Sequence, residues 1–169
     1  AAPVPLLAQP HVRALLAYLR VLADTDASQE LYLLCAEEPY AVPAADLATL
    51  LAQARRRHAP LWDVLVGVAD RDAQPVSATG RAAVRRVVGD VRAGLELAPR
   101  RTSGEVLYEQ LRRSGLLARL AQAEPLGDSA ALRGVVRFHE VCRSRASLLS
   151  EDRVAFLVPH LAGLRESAP

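Results

Sequence analysis

His139 and Glu140 open as the zinc-protease signature H-E-x-x-H does, but the position of the second histidine is taken by Arg143. A zinc ion there needs two imidazoles one helical turn apart, so that chemistry is absent. His11, His58 and His160 stand far apart in the chain, and no C-x-x-C pair occurs. His139 therefore reads as a core or partly buried residue. No G-x-S-x-G elbow exists, and Ser114-Gly115 reads as a helix end. The carboxylate pairs Glu37-Glu38 and Glu151-Asp152 fall at expected turns or helix starts, where they complement helix dipoles. These residues assign no catalytic group, no cofactor-binding group and no metal ligand.

Arginine is what remains. All 21 basic residues are arginine, and the chain has no Lys, Ile, Asn or Met. This composition, heavy in Ala, Leu, Val and Pro, reads as GC-rich bacterial coding bias. Without lysine there is no Walker A loop and no lysine Schiff base. The runs Arg55-Arg56-Arg57, Arg85-Arg86, Arg100-Arg101 and Arg112-Arg113 suit bidentate phosphate contacts. A solvated, lysine-free surface has the same composition, so both readings stand at this level. Aromatic residues make up only 4% and fall mostly at core-like positions, which argues against stacking platforms for single strands. Trp62 reads as a packing anchor.

A chain of 169 residues, 51% hydrophobic and 24% charged, suits one folded domain. The net charge of +2 by itself implies no nucleic-acid partner. No apolar run reaches the roughly 18 residues of a membrane span, and no signal peptide is evident, so a cytoplasmic location is expected. With no initiating Met, the chain is expected to be an excised piece of a longer protein. Cys35 and Cys142 are expected to be reduced core residues rather than a disulfide.

The elements that must position these groups are helices. Val12, Leu15, Leu16, Leu19 and Leu22 follow i, i+3, i+4, i+7 spacing behind Pro10, a good first helical residue. Asp26 and Gln29 resemble a capping box before Leu31, Leu34 and Cys35. Glu37 to Pro43 is an expected turn, bracketed by two prolines. A helix restarts near Ala44, with Leu47, Leu50, Leu51 and Ala54 inward, and ends in Arg55-Arg56-Arg57-His58. Pro60 opens a short helix carrying Leu61, Trp62, Leu65 and Val66. After a polar loop over 70–78, Thr79 is expected to cap a helix with Val84, Val87, Val88, Val91 and Leu95 on one face, stopped by Pro99.

Thr102 and Glu105 form a capping box for a helix through Arg113, with Val106, Leu107 and Leu111 inward and Gly115 as its stop. Leu116, Leu117 and Leu120 belong to a short following helix. Pro125-Leu126-Gly127 is an expected turn, with Asp128 capping a helix that holds Leu132, Val135, Val136, His139 and Cys142. Ser150 is expected to cap the last helix, with Val154, Leu157, Leu161 and Leu164 inward and Pro159 kinking it. No segment alternates over a strand length. The prediction is an all-α, irregular single domain of eight or nine helices over 1–169, with 1–9 and 165–169 as hinge or linker ends.

The order of these segments carries a resemblance. Val12 to Asp24 resembles the "v-r-d-l-l-a-Y-L-r-l-l" helix of UvrD/Rep/PcrA-like superfamily 1 DNA helicases, which opens their accessory 2B subdomain. Leu31 to Leu47 is similar to the next family segment, and Leu61-Trp62-Asp63-Val64-Leu65 to "s-l-w-e-a-l". Leu107 to Leu117 resembles "l-l-e-l-l-e-r-s-G-l-l", Arg133 to Val141 "n-l-.-r-f-.-e-l", and Ala155-Phe156-Leu157 "a-F-L". The match spans nearly the whole chain, in order.

The resemblance implies an all-α subdomain inserted into the second RecA-like motor domain. It would be a non-catalytic piece that swivels about its hinges, touches duplex DNA and regulates unwinding. ATP and Mg would bind in the parent helicase, not here. The partners implied are duplex DNA and the parent's motor domains, with no membrane and no metal. An inserted domain also implies ends that lie close together, near Leu7 and Leu164. The alternative is a helical protein-interaction module without direct DNA contact.

One departure bears on the site. Many relatives carry a Gly-Ile-Gly turn where this chain has Tyr40-Ala41-Val42-Pro43. Ala and Val resist positive φ, and Pro43 has no amide to donate. The expected DNA-contacting groups are therefore the amides near Ala44 and the side chains of Arg55, Arg56 and Arg57.

Overall fold

Pro10 to Ala23 form helix α1, and nine of its residues, including Val12, Leu15, Tyr18, Leu19 and Leu22, are buried. Burial reaches almost all round it. A helix expected to show one apolar face is instead the central strut of the domain. It packs against α2 (Ser28–Ala36), α5 (Ala78–Leu97), α8 (Ala130–Ala146) and α9 (Val154–Ala162). The other helices are α3 (Ala44–Arg57), α4 (Leu61–Arg71), α6 (Ser103–Arg113) and α7 (Leu116–Gln122). This computed structural model describes residues 4–71, 75–122 and 130–162. Among them there are nine α-helices and no strand, so the chain is an all-helical domain. Every helix contributes to one apolar core.

Two helix starts follow their local signals. Pro10 occupies the first turn of α1. The Thr102 hydroxyl accepts from the Glu105 amide at 3.2 Å and caps α6. Gly115 ends that helix region at φ 77°, where a side chain would be strained.

Three starts differ from expectation, two of them where a distant partner intervenes. Asp26 does not cap α2. Its amide donates to Asp24 Oδ1, Ala27 holds the cap position without a side-chain bond, and the Ser28 hydroxyl accepts instead from Leu61 N of α4. Ser77, not Thr79, caps α5, accepting from Gly80 N at 3.0 Å. Ser77 is held by Asp46 of α3, which accepts from its amide (3.0 Å) and its hydroxyl (2.5 Å). Ser150 does not cap α9, which begins at Val154. The preceding Asp152 is drawn to the start of α6, accepting from Ser103 N at 3.0 Å and Ser103 Oγ at 2.6 Å.

The inward faces largely agree with the spacing. In α8, however, Phe138 is fully buried while Val136 is 49% exposed and His139 half-buried. Trp62 packs partly buried against the core. Pro159 lies inside α9. Within the expected linker 1–9, Leu6–Ala8 form a 3₁₀ turn, and Leu6 and Leu7 pack against the core. The expected turn at Pro125-Leu126-Gly127, the Asp128 cap and Leu164 lie outside the described residues.

The first and last helices, α1 and α9, pack on each other. No described helix is long and apolar enough to cross a membrane. Cys35 and Cys142 are both free and buried. Burial pushes both thiols up to about 12, with the Asp152 charge adding to it at Cys142. Burial thus favours the protonated thiol at both positions.

Candidate nucleic-acid interface

Helix α3 carries Ala44 and Arg55, Arg56 and Arg57, the groups expected to contact DNA, but at its two ends. Ala44 is its first residue and Arg55, Arg56 and Arg57 its last turn. At about 1.5 Å per residue the ends are separated by about 20 Å. The structure therefore gives two sites rather than one.

At the N-terminal end, Pro43 holds the cap position and makes no side-chain cap bond. Ala44 and Ala45 are exposed, and no helix carbonyl precedes their amides. Such an end attracts anions. Asp46, buried in the same first turn, places a carboxylate there already, turned toward Ser77 at the start of α5. One acidic side chain thus serves the positive ends of both helices.

The turn leading into α3 has the backbone the sequence argued against. Ala41 adopts φ 46°, in the left-handed region. This conformation costs a non-glycine residue roughly 1–2 kcal/mol. The surroundings hold it. Ala41 N donates to Glu37 O (3.0 Å), and Val42 N to Cys35 O (2.9 Å). Tyr40, 4% exposed, is anchored below, donating its hydroxyl to Asp90 Oδ2 and accepting from Gln110 Nε2 at 2.7 Å. Burial, then the Asp90 charge, pushes the Tyr40 phenol well above its ordinary range, so it stays a donor. Arg86 lies over the Tyr40 ring, 5.5 Å from its centre, and donates to Pro39 O at 3.3 Å. Arg119 pairs with Glu38 at 2.9 Å. Two exposed guanidiniums therefore flank the turn.

At the other end, Arg55, Arg56 and Arg57 are exposed. Arg56 bonds Gln53 at 2.6 Å, and neither Arg55 nor Arg57 has an ion pair among the described residues. Cations at a helix C-terminus complement its dipole. His58 ends the helix in the left-handed conformation, φ 50° and ψ 41°. Beside it a groove of about 560 Å³ runs between α2 and α3, lined by Tyr32, Leu51, Ala54, Arg55 and His58 among others.

Sequence reasoning missed the Asp90–Tyr40–Gln110 anchor, the flanking Arg86 and Arg119, and the open face of Tyr32. One signal was present: Gln110 follows Val106 and Leu107 by four and three residues, which puts it on the inward face of α6. Among the described residues, no group of three or more His, Cys, Asp or Glu could hold a metal ion. No known family model matches this chain, and no curated protein does.

Proposed function

We propose that this chain is the accessory 2B-like subdomain of a UvrD/Rep/PcrA-like ATP-dependent DNA helicase. It engages duplex DNA and regulates unwinding by rotating relative to the motor domains. The observation that carries the reading is the ordered set of family-like segments falling on α1, α2–α3, α4, α6–α7, α8 and α9 in sequence. The packing of α1 on α9 supports it, because an inserted domain must take in and return the chain at neighbouring points. The left-handed Ala41 supports it too: the turn adopts a positive φ of the kind that glycine permits.

A duplex lying along α3 would meet the Arg86-flanked turn at one end and Arg55, Arg56 and Arg57 at the other. The separation of about 20 Å corresponds to roughly six base-pair steps of one strand. ATP and Mg belong to the parent's motor domains in this reading, and the chain itself performs no chemical step. The second reading, a protein-interaction module, draws on exposed Tyr108, Val136, Leu148 and Phe156.

Duplex titration between about 50 and 200 mM salt separates the two. Changing Arg55, Arg56 and Arg57 together to glutamine is expected to weaken binding. It should also flatten the slope of log affinity against log salt by about 0.9 for each phosphate that is no longer neutralised. Unchanged affinity and slope would move the DNA-binding surface away from α3. No binding even at low salt would favour the interaction module.

A further inference from the structure

We propose that the groove between α2 and the end of α3 holds an unpaired nucleobase of a DNA strand whose phosphate lies on Arg55. The inference rests on the duplex reading and narrows it: this end of α3 prefers a junction, where single strand leaves duplex, over continuous duplex. Three features of the groove carry it.

The floor is apolar, from Leu51 and Ala54, and the volume of about 560 Å³ is that of a small-molecule pocket. Tyr32 lines the groove 39% exposed, and its hydroxyl has no hydrogen-bond partner among the described residues. An open aromatic ring on such a wall offers a stacking face, and every base has a flat π surface to match it. Gln29, exposed on the same wall, supplies both a donor and an acceptor for a base edge.

The charge selects an anion. The Arg55 guanidinium lines the groove, and no carboxylate does. The helix end contributes only about half a negative charge, against three guanidiniums in the last turn. An acidic peptide would satisfy these cations but would leave Tyr32 and Gln29 without a planar, edge-functional partner. A nucleotide matches Arg55, Tyr32 and Gln29 together, with its phosphate at the rim and its base inside.

The test uses the whole 169-residue chain and two labelled probes: a blunt duplex, and the same duplex with a short single-stranded overhang. Fluorescence anisotropy is expected to show the overhang probe bound about tenfold more tightly. Tyr32→Ala should bring the ratio of the two affinities to about one, and Tyr32→Phe should preserve it, because the ring and not the hydroxyl stacks. Equal affinity for the two probes in the unaltered chain would overturn the groove proposal and leave the duplex reading standing. A preference that survives Tyr32→Ala would overturn it as well. Binding of neither probe, with Tyr32-dependent binding of a poly-glutamate peptide, would overturn both readings in favour of a protein partner.

Discussion

Gly94→Ala is expected to destabilise the domain by about 2–3 kcal/mol, although alanine is the better helix former by about 1 kcal/mol. Gly94 is buried on α5 against Tyr18 and Leu22 of α1. A Cβ there would overlap the Tyr18 hydroxyl and lie 2.8 Å from Leu22 Cδ2. Tyr18 is 1% exposed, and its hydroxyl donates to Asp90 O at 3.0 Å. The ring has no open side to retreat into. Overpacking of about 1–3 kcal/mol adds to a buried hydroxyl left unpaired, about another 1–3 kcal/mol, and together these outweigh the propensity gain.

Thermal unfolding should show the midpoint lowered by roughly 4–12 °C. Gly89→Ala on the same helix serves as the internal control. Nothing lies within 4 Å of its Cβ, so only propensity acts, and stability should rise. A Gly94→Ala chain as stable as the original would mean that α1 and α5 do not approach as described.

Asp90→Ala should cost about 3 kcal/mol, and its effect should reach the turn that leads into α3. Asp90 is 8% exposed and sits among the valines of α5. It accepts from the Tyr40 hydroxyl beneath the turn and from Arg113 Nε of α6 at 3.4 Å. Losing a buried charge-assisted acceptor costs about 1.5–3 kcal/mol, with a cavity term added. Arg113, 42% exposed, can turn to water, but Tyr40 cannot.

Gln110 already leaves its Oε1 buried without a partner. It can offer that oxygen to Tyr40 only by orphaning its amide nitrogen. Denaturant unfolding of Asp90→Ala, Tyr40→Phe and the double variant should therefore be non-additive. The double variant should cost about 1 kcal/mol or more less than the sum of the singles. Additivity would show that Tyr40 and Asp90 do not share a bond. Faster amide exchange at Ala41 and Val42 in Asp90→Ala would register the loosened turn.

Helical boundaries and inward faces were legible wherever the deciding interaction is local. Thr102 and Glu105 stand three residues apart, and the capping bond forms between them. The period of Val84, Val87, Val88 and Val91 sets which side of α5 is buried, and those valines are buried. Caps made at a distance were not legible. Thr79 has the chemistry of a cap, but Asp46, 31 residues before Ser77, selects Ser77 instead. In α8 spacing alone admits Val136 and Phe138 as rivals, and the larger ring takes the core.

The candidate site was half legible. Arg55, Arg56 and Arg57 announced themselves by composition and are exposed as a surface patch should be. The conformation of Ala41 is not legible, because its left-handed backbone is held by the turn's hydrogen bonds and the buried Tyr40, neither visible in residue type. Tyr32 is not legible from residue type: it neighbours Leu31 and Leu34, and only its direction on α2 leaves it open.

The coding sequence on either side of this segment tests the central claim most directly. The expected result is a G-x-x-x-x-G-K-[ST] phosphate loop upstream and helicase motor motifs downstream, in one reading frame with these helices. Flanks that carry neither would contradict a domain inserted in a helicase motor.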